Sequence, residues 1–566
     1  MNTGDISLAC AMALIDELVE HGLRHACVSP GSRSTPLALA LERHAGVMVH
    51  VHLDERSSAF FALGLAKALR RPVAVACTSG TAAAELFPAV VEASQARVPL
   101  YLLTADRPPR LRGTGANQTI DQVRLFGAYP RAYLAPPVPS SPSDVLDWRR
   151  IGREAVSACG GPQPGPVHVN CSFEEPLVPA GEVVDVPERD PAREERLDRN
   201  PEPLAADVER FARELAGARG VVVAGSNRWM APGAVARLAD RIGWPLLAET
   251  TSGLRCPAWA LAAGQAMIGS ARFLERHRPD VVLQVGATPT TRATQALVAA
   301  AERLLVIDLF HLDPDPERSA TWRLHADPDR LASAVLSRNI ERAPDVWSPA
   351  WKELDARARR AMDDVLDATD EPTELRLARD LAASVPAGGT LFVGNSTPIR
   401  DLDVAMAPRD GLQVLANRGA SGIDGLASTA LGAAAAGTGP TFALIGDLSL
   451  LHDAGALIWN GQRRSSDLVL VVANNRGGAI FASMDQRDLP ERDRLFVTPQ
   501  DVDLAALCRA ADVGHRRLER MSDLDGAVRD AQAAGGIRMV EVPTPAERSR
   551  RQRAEVQASV DAALAN

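Results

Sequence analysis

The sequence predicts an α/β protein built from three doubly wound parallel-sheet domains. Three observations predict it. Short apolar runs bounded by Gly, Pro and Asp, such as VAVACTS at 73–79, TFALIG at 441–446 and DLVLVVA at 467–473, have the length and flanks of strands buried on both faces. Stretches of helical periodicity, such as ISLACAMALIDELVEHG at 6–22 and AFFALGLAKALR at 59–70, separate them. The alternation runs through 566 residues, enough for three cores, with Pro-rich or charged breaks near 188–204 and at 370–372.

Residues 1–187 form the first domain. After helix 6–22 comes strand HACVSPG at 25–31, whose Pro-Gly end is a turn. VMVHVHL at 47–53, VAVACTS and LYLLTAD at 100–106 are strands with helices 59–70 and 81–96 between them, and GPVHVN at 165–170 is the last strand. Residues 188–204, with Pro191, Pro201 and Pro203 among dense charges, are a linker. Residues 205–370 form a central nucleotide-fold-like domain with strands GVVVAG, WPLLAET, VVLQVGA and LLVIDL. There VVVAGSNRW at 221–229 lacks G-x-G-x-x-G, so a complete dinucleotide fingerprint is absent. Helix 351–369 leads into the third domain, 371–566, with strands GTLFVGNS, LQVLANR, TFALIGD, DLVLVVAN and GIRMVEVP. A crossover helix over 449–464 joins two of these into a βαβ unit.

Composition narrows the partners. Apolar residues make up 46% and charged residues 23%, as in globular proteins. A net charge of −9 argues against nucleic acid, since a phosphate backbone wants a basic face. No apolar run has bilayer-spanning length and the first residues lack a signal peptide's basic flank, which predicts a cytoplasmic chain with no membrane partner. The seven scattered cysteines form no C-x-x-C pair and read as free thiols, with neither zinc nor disulfides. Lys67 and Lys352 are the two lysines in a chain otherwise charged by Arg, so an Arg alone is not a functional signal.

Polar residues gather at strand ends. Asp447 closes TFALIG and Asn475 follows DLVLVVAN, and open parallel sheets bind ligands outside such ends. A carboxylate, an amide oxygen and a nearby backbone carbonyl suit a divalent cation held on a diphosphate. Either Gly-Asp or Asn-Asn-Arg-Gly-Gly alone reads as a turn; the two at adjacent strand ends weigh toward a site. Arg33 in SPGSRSTP, Arg107 in TADRPP, Arg400 after GNS and Arg418 in NRGASGIDG stand beyond other strand ends. Singly each reads as a surface Arg; together they point to an anion-rich pocket. Glu55 stands between VMVHVHL and an apolar helix, where a capping carboxylate is also at home. His50 and His52 share one strand face and read as structural.

Gly446-Asp447 followed by Asn474-Asn475 resembles the diphosphate and metal motif of thiamine-diphosphate enzymes, and the three-domain layout is similar to their decarboxylase-like family over nearly the whole chain. The resemblance implies thiamine diphosphate with Mg²⁺ or Mn²⁺, and a thiamine-diphosphate-binding fold in the first (pyrimidine) and third (diphosphate) domains. It implies Asp447, Asn475 and the Gly477 carbonyl as metal ligands, and Glu55 as the catalytic carboxyl that hydrogen-bonds the cofactor's aminopyrimidine. Ser396, Ile423, Leu448, Ser449, Ile480 and Phe481 are implied as further cofactor contacts. Leu448 stands where most of the family has Gly. With SPGSRSTPLA, HLDERS, GANQTIDQ, GNSTPIRDLD and NRGASGIDGLASTALG, it is similar to the branch that works in menaquinone biosynthesis. That branch implies a transferase that decarboxylates 2-oxoglutarate and adds the succinyl carbanion equivalent 1,4 to isochorismate. Ser32, Arg33, Arg107, Asn117, Gln118, Arg400 and Arg418 are then the implied substrate contacts, joined by Arg292 where the family has a Lys or Arg pair. Sites of the family lie between subunits, which implies a homodimer or a dimer of dimers.

Two other readings stay open. An acetolactate-synthase-like or 2-oxoacid decarboxylase activity would use the same cofactor on pyruvate, whose single carboxylate leaves most of the Arg set unused. A non-catalytic metabolite binder would keep the fold without needing Glu55, Asp447 and Asn475.

Overall fold

The computed structural model describes residues 2–181, 184, 202–226, 233–310, 314–458 and 466–565, so all but 202–204 of the expected linker lies outside the described residues. The strands form three sheets. In the first, β1 (His25–Val28), β2 (Met48–Val51), β3 (Val73–Cys77), β4 (Leu100–Asp106), β5 (Tyr133–Leu134) and β6 (Val167–Ser172) run in the order β2-β1-β3-β4-β6-β5 with every pair parallel. In the second, β7 (Gly220–Ala224), β8 (Leu246–Ala248), β9 (Val281–Val285), β10 (Arg303–Asp308) and β11 (Trp322–His325) run β11-β10-β9-β7-β8, again all parallel. In the third, β12 (Gly389–Val393), β13 (Leu412–Leu415), β14 (Thr441–Gly446), β15 (Leu468–Asn474), β16 (Gly514–Arg517) and β17 (Ile537–Pro543) run β13-β12-β14-β15-β17-β16. The reversals of strand order are those of doubly wound sheets, and the three α/β sheets agree with the expected fold class.

Three details differ from the sequence reading. Strands β5, β11 and β16 were not expected. They are short edge strands with partly exposed residues, so they carry no run of buried apolar side chains. The helix expected over 81–96 is two, Thr81–Glu85 and Phe87–Gln95, because Pro88 has no N–H to return to the preceding turn. The crossover helix expected over 449–464 is a helix Asp447–His452 followed by a 3₁₀ turn Ala454–Leu457, with 459–465 outside the described residues. Asp453 ends that helix by turning its carboxylate onto the Ser428 N–H at 2.7 Å.

The chain packs as two compact units, one of Met1–Leu197, Asn417–Thr441 and Ser449–Leu468, the other of Asp198–Ala416, Phe442–Leu448 and Val469–Asn566. In the first, helix Glu55–Leu69 buries Phe60, Phe61, Leu63 and Leu65, each worth about 1.5–3 kcal/mol. It crosses helix Leu426–Ala435, whose sequence LASTALGAAA presents little but small side chains. The backbones touch at two glycines: a Cβ on Gly64 would lie 2.0 Å from the Thr429 carbonyl oxygen, and one on Gly432 2.0 Å from that of Phe61. In the second unit the C-terminal helix Ala546–Ala565 packs along helix Trp347–Asp367 and closes a core containing Trp347, Trp351 and Met362. Among the described residues no helix is long and apolar enough to cross a membrane.

Candidate functional site

In the second unit β12, β14 and β15 are neighbours, and their carboxyl ends deliver Ser396, Asp447 and Asn475. The Gly394 N–H donates to the Leu444 carbonyl at 2.8 Å, which keeps the first two ends level. Asp447 is 3% exposed. Its carboxylate accepts from the Leu448 and Gly477 backbone N–H groups, yet Oδ2 is buried with no partner among the described residues. Burial pushes this carboxyl up to about 6, against the lowering effect of those bonds, and the Glu374 charge adds to the rise. A buried carboxylate oxygen without a partner is costly, and a divalent cation would satisfy it. Asn475 accepts from the Gly477 N–H on Oδ1 at 3.1 Å and donates from Nδ2 to Glu374 at 2.6 Å. Gly477 has φ +152°, and a Cβ there would meet the Val497 carbonyl oxygen at 2.7 Å, so the turn accepts only glycine. Among the described residues no cluster of three His, Cys, Asp or Glu could hold a metal. The Asp447 carboxylate, the Asn475 amide oxygen and a backbone carbonyl nevertheless fit a hard cation that completes its shell with phosphate or water oxygens.

Ser396, Leu448, Ile480 and Phe481 also follow strand ends of this unit in the chain. Ser396 sits at φ +72° before helix Thr397–Ala405, a conformation that costs a non-glycine residue about 1–3 kcal/mol, and its carbonyl accepts from Arg400 at 2.5 Å. Leu448 offers its N–H to Asp447, and Ser449 is buried on the same short helix. Ile480 and Phe481 occupy the 3₁₀ turn Ala479–Ser483, with Phe481 against Phe496 at 5.6 Å. Arg292 is exposed at the start of helix Arg292–Ala299, on the middle sheet and not on the third.

In the first unit the loops after β1 and β4 bring Arg33, Arg107 and Gln118 to one edge, where Ser79 follows β3. Arg33 is buried and donates to the Phe173 carbonyl at 2.9 Å and to Glu175 at 2.8 Å. Arg107 donates to Ser79 Oγ at 3.0 Å, Gln118 Nε2 donates to the Ser79 carbonyl at 2.9 Å, and Ser79 Oγ donates to the Gln118 carbonyl at 3.0 Å. Burial lowers the Arg107 pKa, and the charge of Arg33 lowers it further, so the two guanidiniums share one field. Ser32 and Asn117 are exposed beside them in the chain. Glu55 opens helix Glu55–Leu69, half-buried, behind the Asp54 cap that accepts from the Ser57 N–H at 3.1 Å. Burial raises its carboxyl above the ordinary range, and Asp54 and Glu85 add to the rise. His50 and His52 are buried against Phe61, and desolvation pushes them down to about 4 and about 3, so both are neutral packing groups.

Arg418 and Ile423 ride on the loop 417–425, also in the first unit. A buried pair that sequence reasoning missed holds it. Lys67 Nζ donates to Glu92 at 3.0 Å and to Asn417 at 2.6 Å, while Glu92 accepts from the Gly419 and Ala420 N–H groups at 3.0 and 2.7 Å. The signal for Lys67 was in the composition: a lysine kept in an apolar helix of a chain that otherwise uses arginine. Glu374, Asp401 and Arg553, linked behind Asn475, were missed with no comparable signal.

The chain is similar to known proteins over nearly its whole length. Three family profiles match the chain: "Thiamine pyrophosphate enzyme, N-terminal TPP binding domain" over 9–125, "Middle domain of thiamine pyrophosphate" over 197–393, and "Thiamine pyrophosphate enzyme, C-terminal TPP binding domain" over 404–542. The chain is 42% identical to a 2-succinyl-5-enolpyruvyl-6-hydroxy-3-cyclohexene-1-carboxylate synthase of Thermobifida fusca, covering 99% of each chain. It is 40% identical to the protein of that name in Halobacterium salinarum, covering 96% of each, and 39% identical to that of Geobacillus kaustophilus, covering 94% of each. Among solved structures, the benzoylformate decarboxylase of Polynucleobacter necessarius superposes with a TM-score of 0.70 at 17% identity over 95% of this chain and 98% of that one, a likeness of fold.

Proposed function

The chain belongs to the thiamine pyrophosphate enzymes, and within them to the 2-succinyl-5-enolpyruvyl-6-hydroxy-3-cyclohexene-1-carboxylate synthases, and from that premise we propose how its residues divide the work. The reaction is a step of menaquinone biosynthesis in which 2-oxoglutarate loses CO₂ and its succinyl unit adds 1,4 to isochorismate. Thiamine diphosphate, when bound, supplies the carbanion chemistry. Asp447, Asn475 and the Gly477 carbonyl hold Mg²⁺ or Mn²⁺ for the diphosphate, with Ser396, Ile423, Leu448 and Ser449 as further contacts. Glu55, whose carboxyl is raised by burial, holds the aminopyrimidine through a hydrogen bond.

Arg33, Arg107 and Gln118 bind substrate carboxylates, with Ser32 and Asn117 beside them and Arg292, Arg400 and Arg418 as further contacts. Two dicarboxylic substrates bring four carboxylates, and each charge-assisted bond contributes about 1.5–3 kcal/mol, so several cations are needed. Pyruvate brings one carboxylate, which is why the acetolactate-synthase-like alternative fits this residue set less well. Ile480 and Phe481 supply an apolar wall, which favours a decarboxylation that disperses charge. We read the chain as a cytoplasmic homodimer or dimer of dimers, divided at 1–187, 205–370 and 371–566.

What carries the reading is the one activity named for relatives that match almost the whole chain. The test is product formation from 2-oxoglutarate and isochorismate by the purified chain with thiamine diphosphate and Mg²⁺. Turnover of pyruvate with none of that product would overturn it. Glu55→Gln is expected to lower kcat by about 10²–10⁴-fold while cofactor affinity changes far less.

A further inference from the structure

Behind the proposed metal ligands lies a set of paired charges, two carboxylates buried and one guanidinium half-buried, with no part in the reaction. Glu374 begins helix Glu374–Ser384 and is buried. One carboxylate oxygen accepts from Asn475 Nδ2 at 2.6 Å, and the other pairs with Arg553 of the C-terminal helix. Arg553 forks onto both oxygens of Asp401, at 2.8 and 2.6 Å, on the helix that follows Ser396. The same C-terminal helix fixes this corner twice more: Ser549 Oγ accepts the Glu374 N–H at 3.2 Å, and Thr373 donates to Gln552.

A primary amide has two ends of similar shape and opposite chemistry, and only the oxygen can bind a cation. An ionised carboxylate accepts and cannot donate, so Glu374 forces Nδ2 of Asn475 toward itself and Oδ1 toward the turn. Arg553, paired with the other Glu374 oxygen, provides a counter-charge that favours the ionised form. The neighbouring Asn474 is set the same way, with Nδ2 on Glu541 at 2.8 Å and Oδ1 on the Arg476 N–H at 3.1 Å. Two consecutive amides each turn nitrogen to a buried carboxylate and oxygen to the loop.

We infer that Glu374, held by Arg553 and Asp401, is the positioning residue that locks the Asn475 amide with its oxygen toward the cation, and so sets metal affinity from the C-terminal helix. This rests on Asp447, Asn475 and Gly477 being the metal ligands. Partners behind metal ligands typically control affinity by about 10–100-fold.

The experiment is a calorimetric titration of the full-length protein with Mg²⁺ at saturating thiamine diphosphate, alongside the unfolding temperature of the metal-free protein. Glu374→Ala is expected to raise the Mg²⁺ Kd by about 10–100-fold. Glu374→Gln recovers part of that, because its amide oxygen can still accept from Nδ2. Arg553→Lys, which keeps the charge and loses the fork, shifts Kd the same way by less. Ser549→Ala, which touches only the Glu374 backbone, leaves Kd within about twofold and so separates orientation from helix docking. If Glu374→Gln and Arg553→Lys lower the unfolding temperature yet leave Kd within about twofold, the role is docking alone and the inference falls. Asp447→Ala separates this from the ligand assignment: unchanged Mg²⁺ affinity there refutes the ligands, whereas its loss together with silent Glu374 variants refutes only the positioning role. Should Glu374→Ala not fold, Glu374→Gln and Arg553→Lys decide.

Discussion

Replacing Lys67 by Met removes a charge from beneath the loop that carries Arg418 and Ile423 and keeps most of the stem's apolar volume. The Lys67 and Glu92 side chains are 7% and 4% exposed, so neither can turn to solvent for compensation. Breaking one half of such a pair costs about 3–5 kcal/mol. Glu92 keeps its bonds from Gly419 and Ala420, each a charge-assisted contact of about 1.5–3 kcal/mol, which places Lys67→Met at the lower end, about 3 kcal/mol. Glu92→Gln takes the counter-charge away from buried Lys67 and weakens both backbone bonds, a loss of about the same size. The double variant buries neither charge, so it should lose less than the singles combined, with a coupling of about 2 kcal/mol. Urea unfolding of all four proteins reads this cycle, and steady-state kinetics reads its consequence, a raised KM for the substrates from a looser 417–425 loop. Additive singles, or a Lys67→Met loss below about 1 kcal/mol, would refute the latch.

Two further outcomes follow from single residues. Gly477→Ala should lose about 1–3 kcal/mol of stability and weaken Mg²⁺ binding, because the new Cβ meets the Val497 carbonyl oxygen at 2.7 Å at φ +152°; calorimetry and a thermal scan check both, and an unchanged protein would show the turn to be looser than described. Asp453, facing Arg56 and Asp54 and bonded to Ser428, has its carboxyl raised by burial from 3.8 to about 6. A carboxyl raised on folding favours the native state fully below the unfolded pKa, and that advantage is lost as pH rises through the folded one, about 3 kcal/mol by pH 7. Asp453→Asn does not titrate, so its stability relative to the parent should improve between about pH 4 and pH 7, and a flat difference across urea melts would count against the burial argument.

The parts legible in the sequence are those where burial on both faces leaves an apolar signature. β3, β4, β14 and β15 are such strands, and the polar residues just past them (Arg107, Asp447, Asn475) stand out because an apolar run precedes each. The edge strands Tyr133–Leu134 and Gly514–Arg517 are half wet and leave no such trace. The charges behind the site were hidden for another reason. Glu374 and Arg553 are 179 residues apart, and in an Arg-rich chain a half-buried, paired guanidinium has the same sequence appearance as a solvated one. Asp453 was hidden inside a helical pattern that it ends by bonding to a residue 25 positions back.

The crossing of helix Glu55–Leu69 by helix Leu426–Ala435 has a consequence in time. About 360 residues separate the end of one from the start of the other, and a ribosome adding about 5–20 residues per second needs roughly 20–70 s to make them. For that interval Phe60 and the Gly64 seam have no cover, although the first sheet is fully synthesised once Ser172 has been added. A nascent chain halted between the two helices would present that face to whatever holdase is nearby, and a fragment ending at the first linker would never lose it. The unit that emerges first is the one that finishes late.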